Sequence, residues 1–198
     1  MILRKTSITC FMVIFFLSVG LQPIACSQNG SGDVTNVKDF TLKDYEGKEH
    51  SLSDYKNSKV IVLIFVATEC PISNAYNSRM EAIYNDYKGK DVAYLGINSN
   101  KAESVMSIKE HAKENGLTFT ILKDEKNIIA DQFDASVTPE VYVLNSEFQV
   151  LYHGRSDNSR KEADVETKDL RNALDQILDG KEVTISNTKA FGCTIKKV

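Results

Sequence analysis

The chain has 198 residues, 42% of them apolar and 26% charged, with a formal net charge of −3. This is an ordinary globular composition for one domain. The lysines are scattered among acids rather than gathered in a stripe, which speaks against a nucleic-acid partner, and no internal repeat is visible.

Residues 1–26 read as a signal peptide. Arg4 and Lys5 form a basic start, residues 8–21 an apolar stretch, and Pro23-Ile-Ala-Cys26 closes it with small residues. The stretch is short for a spanning helix, which needs about 20 apolar residues, although an uncleaved anchor is an alternative. Ala25-Cys26 followed by Ser27 and Gln28 resembles a bacterial lipoprotein box, in which Cys26 would be lipidated and tie the chain to a membrane. Pro23 stands where that motif prefers leucine, and ordinary cleavage near Cys26 or Ser27 is the alternative. Either route places the mature domain outside the cytoplasm, in the periplasm or cell envelope, where a disulfide can persist.

Residues 27–36 are a polar, Gly-rich linker. The folded domain is expected over 37–180. Residues 40–42 and 50–52 alternate around Asp44-Tyr-Glu-Gly-Lys48 and predict a hairpin. Residues 60–67 form a continuous apolar run rich in β-branched side chains, which predicts a strand buried on both faces. From Pro71 the period turns helical, with Ile72, Tyr76, Met80, Ile83, Tyr84 and Tyr87 on one face and Gly89 beyond it. A strand over 91–98, a helix over 103–115 closed by Gly116, a strand over 118–122 and a short helix over 127–133 follow. Residues 141–144 and 148–152 predict a second hairpin, and 169–178 a last amphipathic helix. Residues 181–198 are a tail of mixed character carrying Cys193. Strand–helix alternation with two added hairpins predicts an α/β fold.

Cys70 stands where the buried strand ends and a helix begins. Helix starts carry unpaired N–H groups and partial positive charge, which favour a thiolate. A fall in pKa from about 8.5 to about 7 raises the thiolate share at neutral pH from roughly 3% to roughly half. Cys10 leaves with the leader, so Cys70 and Cys193 are the cysteines of the folded part. A redox pair, a static bridge and two thiols that never meet all remain open.

The order of elements, the strand ending in Phe65-Val-Ala-Thr-Glu-Cys-Pro, and Val137-Thr-Pro-Glu140 before a strand resemble the redoxin branch of the thioredoxin superfamily. That branch includes the alkyl hydroperoxide reductase and thiol-specific antioxidant proteins. Tyr152-His-Gly-Arg155 with Asp157, and the ending Gly192-Cys-Thr-Ile195, resemble its exported, peroxiredoxin-like members. The resemblance implies a thioredoxin-like three-layer sandwich with a central mixed sheet and an N-terminal β-hairpin. It implies thiol–disulfide exchange, with weak peroxide reduction as a further activity, and no organic cofactor. Thiol or disulfide proteins, small peroxides and an unidentified envelope reductant are the implied partners. Cys70 is then the nucleophile and Cys193 the candidate resolving thiol, on a tail free to swing over Cys70 and leave again. Thr138-Pro139 is the implied cis-proline turn beside the reactive sulfur, where proline adds no competing N–H.

The departures are informative. Cys70-Pro-Ile-Ser73 places a hydroxyl where a thioredoxin has its second cysteine, so Ser73 is expected to donate a hydrogen bond to the thiolate. Leu63 and Ala67 stand where typical peroxiredoxins have proline and threonine, with Thr68 one residue out of step, which argues against strong peroxidase chemistry. Glu69 would oppose thiolate formation by like charge. Cys70, His153 and Cys193 make a soft-ligand set for copper(I) or zinc, the basis of an alternative reading as a non-enzymatic metal- or protein-binding module. His50 and His111 are expected to be structural or surface histidines. Arg155 is expected to pair with Asp157, or else to stabilise an anion, and Arg79 to lie on a solvated helix face.

Overall fold

A computed structural model describes residues 36–198. The expected leader, with Cys26, and all of the expected linker except Asn36 lie outside the described residues. The described part opens on a hairpin, β1 (Thr41–Asp44) and β2 (Glu49–Ser51), whose turn places Gly47 at φ +84°, a left-handed conformation open to glycine without steric cost. A 3-10 turn (Leu52–Tyr55) leads to β3 (Val60–Phe65), the short helix α1 (Pro71–Asn74) and the longer α2 (Asn77–Tyr87). Next come β4 (Val92–Asn98), α3 (Val105–Glu114), β5 (Thr120–Lys123), α4 (Ile128–Gln132) and β6 (Val137–Thr138). β7 (Glu140–Leu144), β8 (Val150–Gly154), a 3-10 turn (Glu162–Asp164), α5 (Asp169–Leu178) and β9 (Cys193–Thr194) complete the chain.

Seven strands form one mixed sheet in the order β2-β1-β5-β4-β3-β7-β8. β3, β4 and β5 run parallel, and β1–β2 and β7–β8 add antiparallel strands at the two sides. Every residue of β3 is buried because both of its faces are covered. Val60, Val62 and Ile64 pack in one core with Met80, Ile83, Ile108 and Leu174, while Ile61, Leu63 and Phe65 pack in the other with Ile129, Phe133 and Tyr142. Helices on both sides of a mixed sheet make the three-layer α/β sandwich implied by the element order. Among the described residues no helix is long and apolar enough to cross a membrane.

Three local expectations need correction. The single helix from Pro71 is two, because the Tyr76 N–H bonds back only three residues, to the Ser73 carbonyl at 2.9 Å. The Ala75 carbonyl at this break accepts a bond from the Arg79 guanidinium at 3.1 Å. Arg79 is therefore no solvated residue. It is buried, binds both oxygens of Asp157 at 2.6 and 2.8 Å, caps the carbonyls of Ser159 and Arg160, and lies over the Tyr76 ring. Asp157 is thus taken, and Arg155 pairs instead with Asp169 at 2.8 Å.

The stretch after α5 is a strap rather than a free tail. The Thr188 N–H donates to the His153 carbonyl at 2.9 Å, and the Thr188 hydroxyl lies 2.7 Å from that of Tyr152. Further on, β9 pairs with β6, the Ile195 side chain is buried in the core of Phe133 and Tyr142, and the Val198 N–H donates to Asn127 Oδ1 at 2.7 Å.

Candidate active site

Cys70 caps the start of α1, is 5% exposed, and receives the Ser73 N–H on its sulfur at 3.3 Å. The Ser73 hydroxyl does not serve the sulfur as expected. It accepts the Ala67 N–H at 3.2 Å and so ties the end of the β3 run to the start of α1. Because α1 is only four residues long and breaks before α2, the favourable field at the sulfur is local: one amide and the first-turn dipoles, rather than the summed dipole of a long helix.

The Thr138–Pro139 peptide is cis, and both residues are buried. The Thr138 carbonyl oxygen lies 3.4 Å from Cys70 Sγ. Glu140 braces this turn from beneath. One carboxylate oxygen accepts the N–H groups of Ser136 and Val137 at 2.9 and 3.1 Å; the other accepts the Tyr142 hydroxyl at 3.2 Å and lies 2.7 Å from His153 Nε2. Burial pushes the Glu140 carboxyl up, but the hydrogen bonds from His153, Ser136 and Val137 outweigh it and hold the group below its ordinary value.

Cys193 is disulfide-bonded to Cys70 across 123 residues of chain, with the two Cα atoms 5.9 Å apart. The pairing follows from β9, which runs antiparallel to β6 with Thr138 opposite Cys193 and Val137 opposite Thr194. Gly192 permits the approach: a Cβ there would stand 2.0 Å from the Thr138 carbonyl oxygen. Cys70, Ser73, Thr138, Pro139 and Cys193 therefore converge at one place. A cleft of about 280 Å³ opens beside them, lined also by Asn100, Glu103 and Lys196.

Glu103 is the site residue that the sequence reading did not single out. It is 4% exposed, and its carboxylate accepts the N–H groups of Thr68 and Glu69 at 2.7 and 3.2 Å and the Asn98 amide at 2.5 Å. It thus fixes the loop that carries Cys70. The available signal was its place just after β4, whose carboxyl end lies beside that of the parallel β3, the end of the strands at which open α/β sheets bind ligands. Glu69, by contrast, is exposed.

His153 is held by Glu140 and stacks on the Tyr142 ring with centroids 4.2 Å apart. Among the described residues no three His, Cys, Asp or Glu side chains are grouped to hold a metal ion, so the Cys70, His153 and Cys193 set is not assembled. His50 is buried between Asp44 at 2.9 Å and the Tyr55 hydroxyl at 2.7 Å. His111 lies 3.1 Å from the Asn77 amide, and burial lowers its basicity.

A sulfur pair set against a cis-proline turn, at the start of a helix following a buried central strand, defines a redoxin of thioredoxin-like fold. The chain belongs to the AhpC/TSA family, which it matches over residues 35–153. Cys70 and Pro139 lie inside that span and Cys193 lies beyond it. The chain is 30% identical over 116 residues to the thiol-disulfide oxidoreductase ResA of Geobacillus kaustophilus, covering 59% of this chain and 65% of that protein. It is 32% identical over 136 residues to the chloroplastic peroxiredoxin Q of Triticum aestivum, covering 65% and 60%. The match thus spans under two thirds of either relative. The crystal structure of a hypothetical protein from Sinorhizobium meliloti superposes with a TM-score of 0.79 at 30% identity, covering 86% of this chain and 97% of that one.

Proposed function

We propose that this protein is an exported thiol-dependent oxidoreductase that trades its Cys70–Cys193 dithiol for the disulfide of a client. The observation that carries the proposal is the placement of Cys193 against Cys70 and the Thr138–Pro139 turn, although it lies 123 residues away. In the reduced protein the Cys70 thiolate, favoured by the Ser73 amide, attacks a client disulfide; a bond forms between Cys70 and one client sulfur, and the other leaves as a thiolate. Cys193 then attacks Cys70 Sγ, restores the internal disulfide and releases the client thiolate. Two electrons pass to the client, and an envelope reductant returns the protein to the dithiol. Thr138, Pro139 and Ser73 position the sulfur and do not themselves exchange.

Disulfide exchange is favoured over peroxide reduction by what stands three residues before Cys70. Ala67 has no hydroxyl to orient a peroxide, and its N–H is spent on Ser73. Export, with a lipid on Cys26, belongs to the same proposal and is supported by the sequence of residues 1–28. The test is stoichiometric reduction of a small aromatic disulfide by the reduced protein. Wild type is expected to end with its internal disulfide, Cys193→Ser with a mixed disulfide on Cys70, and Cys70→Ser to react at the rate of an ordinary surface thiol. Equal rates for Cys70→Ser and wild type would refute the proposal.

A further inference from the structure

β6 is a two-residue strand outside the main sheet, and its partner there is β9. Its backbone is braced from one side, since Glu140 takes the N–H groups of Ser136 and Val137. The carbonyl of Ser136 accepts the Ile195 N–H at 2.9 Å. The C-terminal segment therefore lies against this braced segment as an added strand, with its cysteine bonded to the reactive sulfur. Its neighbouring side chains are seated as well. Phe191 packs edge-on to Tyr76 with centroids 6.3 Å apart, and Ile195 is 4% exposed within the core of Phe133 and Tyr142. Gly192 lies where any side chain would strike the Thr138 carbonyl.

We infer that residues 191–195 are a built-in stand-in for the client, and that the client is an extended cysteine segment of the pattern aromatic–Gly–Cys–x–aliphatic that takes their place beside Thr138. The inference rests on the disulfide exchange proposed for Cys70. The physical reason is that strand addition takes affinity from backbone hydrogen bonds and specificity from alternate side-chain seats, so an occupant that fits the place displays what the place accepts. Reduction of Cys70–Cys193 removes the covalent hold on the strap and lets a client segment take its place. Cys70 attacks the client disulfide, forming a bond to the docked cysteine and expelling the second client sulfur as a thiolate. When the strap returns, Cys193 attacks Cys70 and the docked sulfur leaves. The strand that breaks the mixed disulfide also refills the place beside Thr138, so product release and reoxidation become one event.

The test uses the reduced full chain carrying Cys193→Ser, so that the reaction stops after the first exchange. One probe is the peptide Phe-Gly-Cys-Thr-Ile with its cysteine capped by a coloured aromatic thiol; a second has valine in place of the glycine; a third is the symmetrical disulfide of the same aromatic thiol. The glycine peptide is expected to release colour about tenfold faster than the valine peptide, or more. Equal rates for the two peptides, with the symmetrical disulfide reacting readily, would overturn the docking inference and leave the exchange reaction standing. A Cys70 inert towards all three would overturn both.

Discussion

Gly192→Ala tests how the second sulfur is delivered. The added methyl would start 2.0 Å from the Thr138 carbonyl oxygen and 2.5 Å from its carbon, and real Cβ contacts stay above 3.0 Å. Both obstructing atoms are backbone, in a turn held by the Glu140 brace, so the strap must retreat by about 1 Å. Such a retreat breaks the register of Thr138 with Cys193 and of Val137 with Thr194. Losing one or two backbone hydrogen bonds, each worth about 1 kcal/mol net, shifts the docked strap towards release by about five- to thirtyfold. The effective concentration of Cys193 at Cys70 falls by the same factor. The assay is the equilibrium between dithiol and internal disulfide in glutathione buffers, read by alkylation and mass, with urea denaturation of the reduced forms as a check on the rest of the fold. The expected result is a disulfide about five- to thirtyfold easier to reduce, with overall stability of the reduced protein changed little. A variant that holds its disulfide as firmly as wild type would refute the claim that the Gly192 contact sets the approach.

Arg79→Met leaves the Asp157 carboxylate buried without its partner, and loss of one member of a buried pair costs about 3–5 kcal/mol. Urea denaturation should show that loss, and adding Asp157→Leu should recover part of it; a cost under about 1 kcal/mol would mean that the pair behaves like a surface one. Glu140 carries a pH dependence. Its folded value is depressed, so its contribution is complete above the ordinary value of 4.5 and is lost as pH falls below that through the lowered folded value. Urea midpoints between pH 7 and 3 should fall in that window, and Glu140→Gln should flatten the fall; unchanged steepness would contradict the brace. Glu103→Gln places an amide donor among three donors, so the loop bearing Cys70 should loosen at a cost of about 1–3 kcal/mol. Alkylation of Cys70 should slow about tenfold for a comparable loss of positioning, and a rate equal to wild type would remove Glu103 from the site.

How legible the molecule was in its sequence depended on the range of each interaction. β3 was readable because burial on both faces leaves an unbroken apolar run, which no loop or exposed strand shows. The break between α1 and α2 was not, since Tyr76, Met80, Ile83 and Tyr87 stay on one buried face across it and the apolar period continues. Arg79 reads as one more basic residue on a helix, because Asp157, the residue that buries it, lies 78 positions away. The same distance effect hid Arg155, whose near neighbour Asp157 was the natural partner by proximity until Arg79 took it. Cys70 stood out by local chemistry, at the junction of strand and helix. Thr138, Pro139 and Cys193 were pointed to by resemblance to a family, since spacing alone left the two sulfurs unassigned. Ser73 lies beside the sulfur through its amide, while its hydroxyl takes the Ala67 N–H, a partner that the motif alone does not reveal. Glu103 carried no motif, and its role depends on three donors that only the fold assembles.

The most direct test is non-reducing peptide mapping of the reduced wild-type chain before and after one equivalent of a small disulfide. The expected result is a peptide joining Cys70 to Cys193 that appears as both free thiols vanish together, with no adduct left on either. A stable adduct on Cys70, with Cys193 still open to alkylation, would contradict the pairing on which the proposed reaction depends.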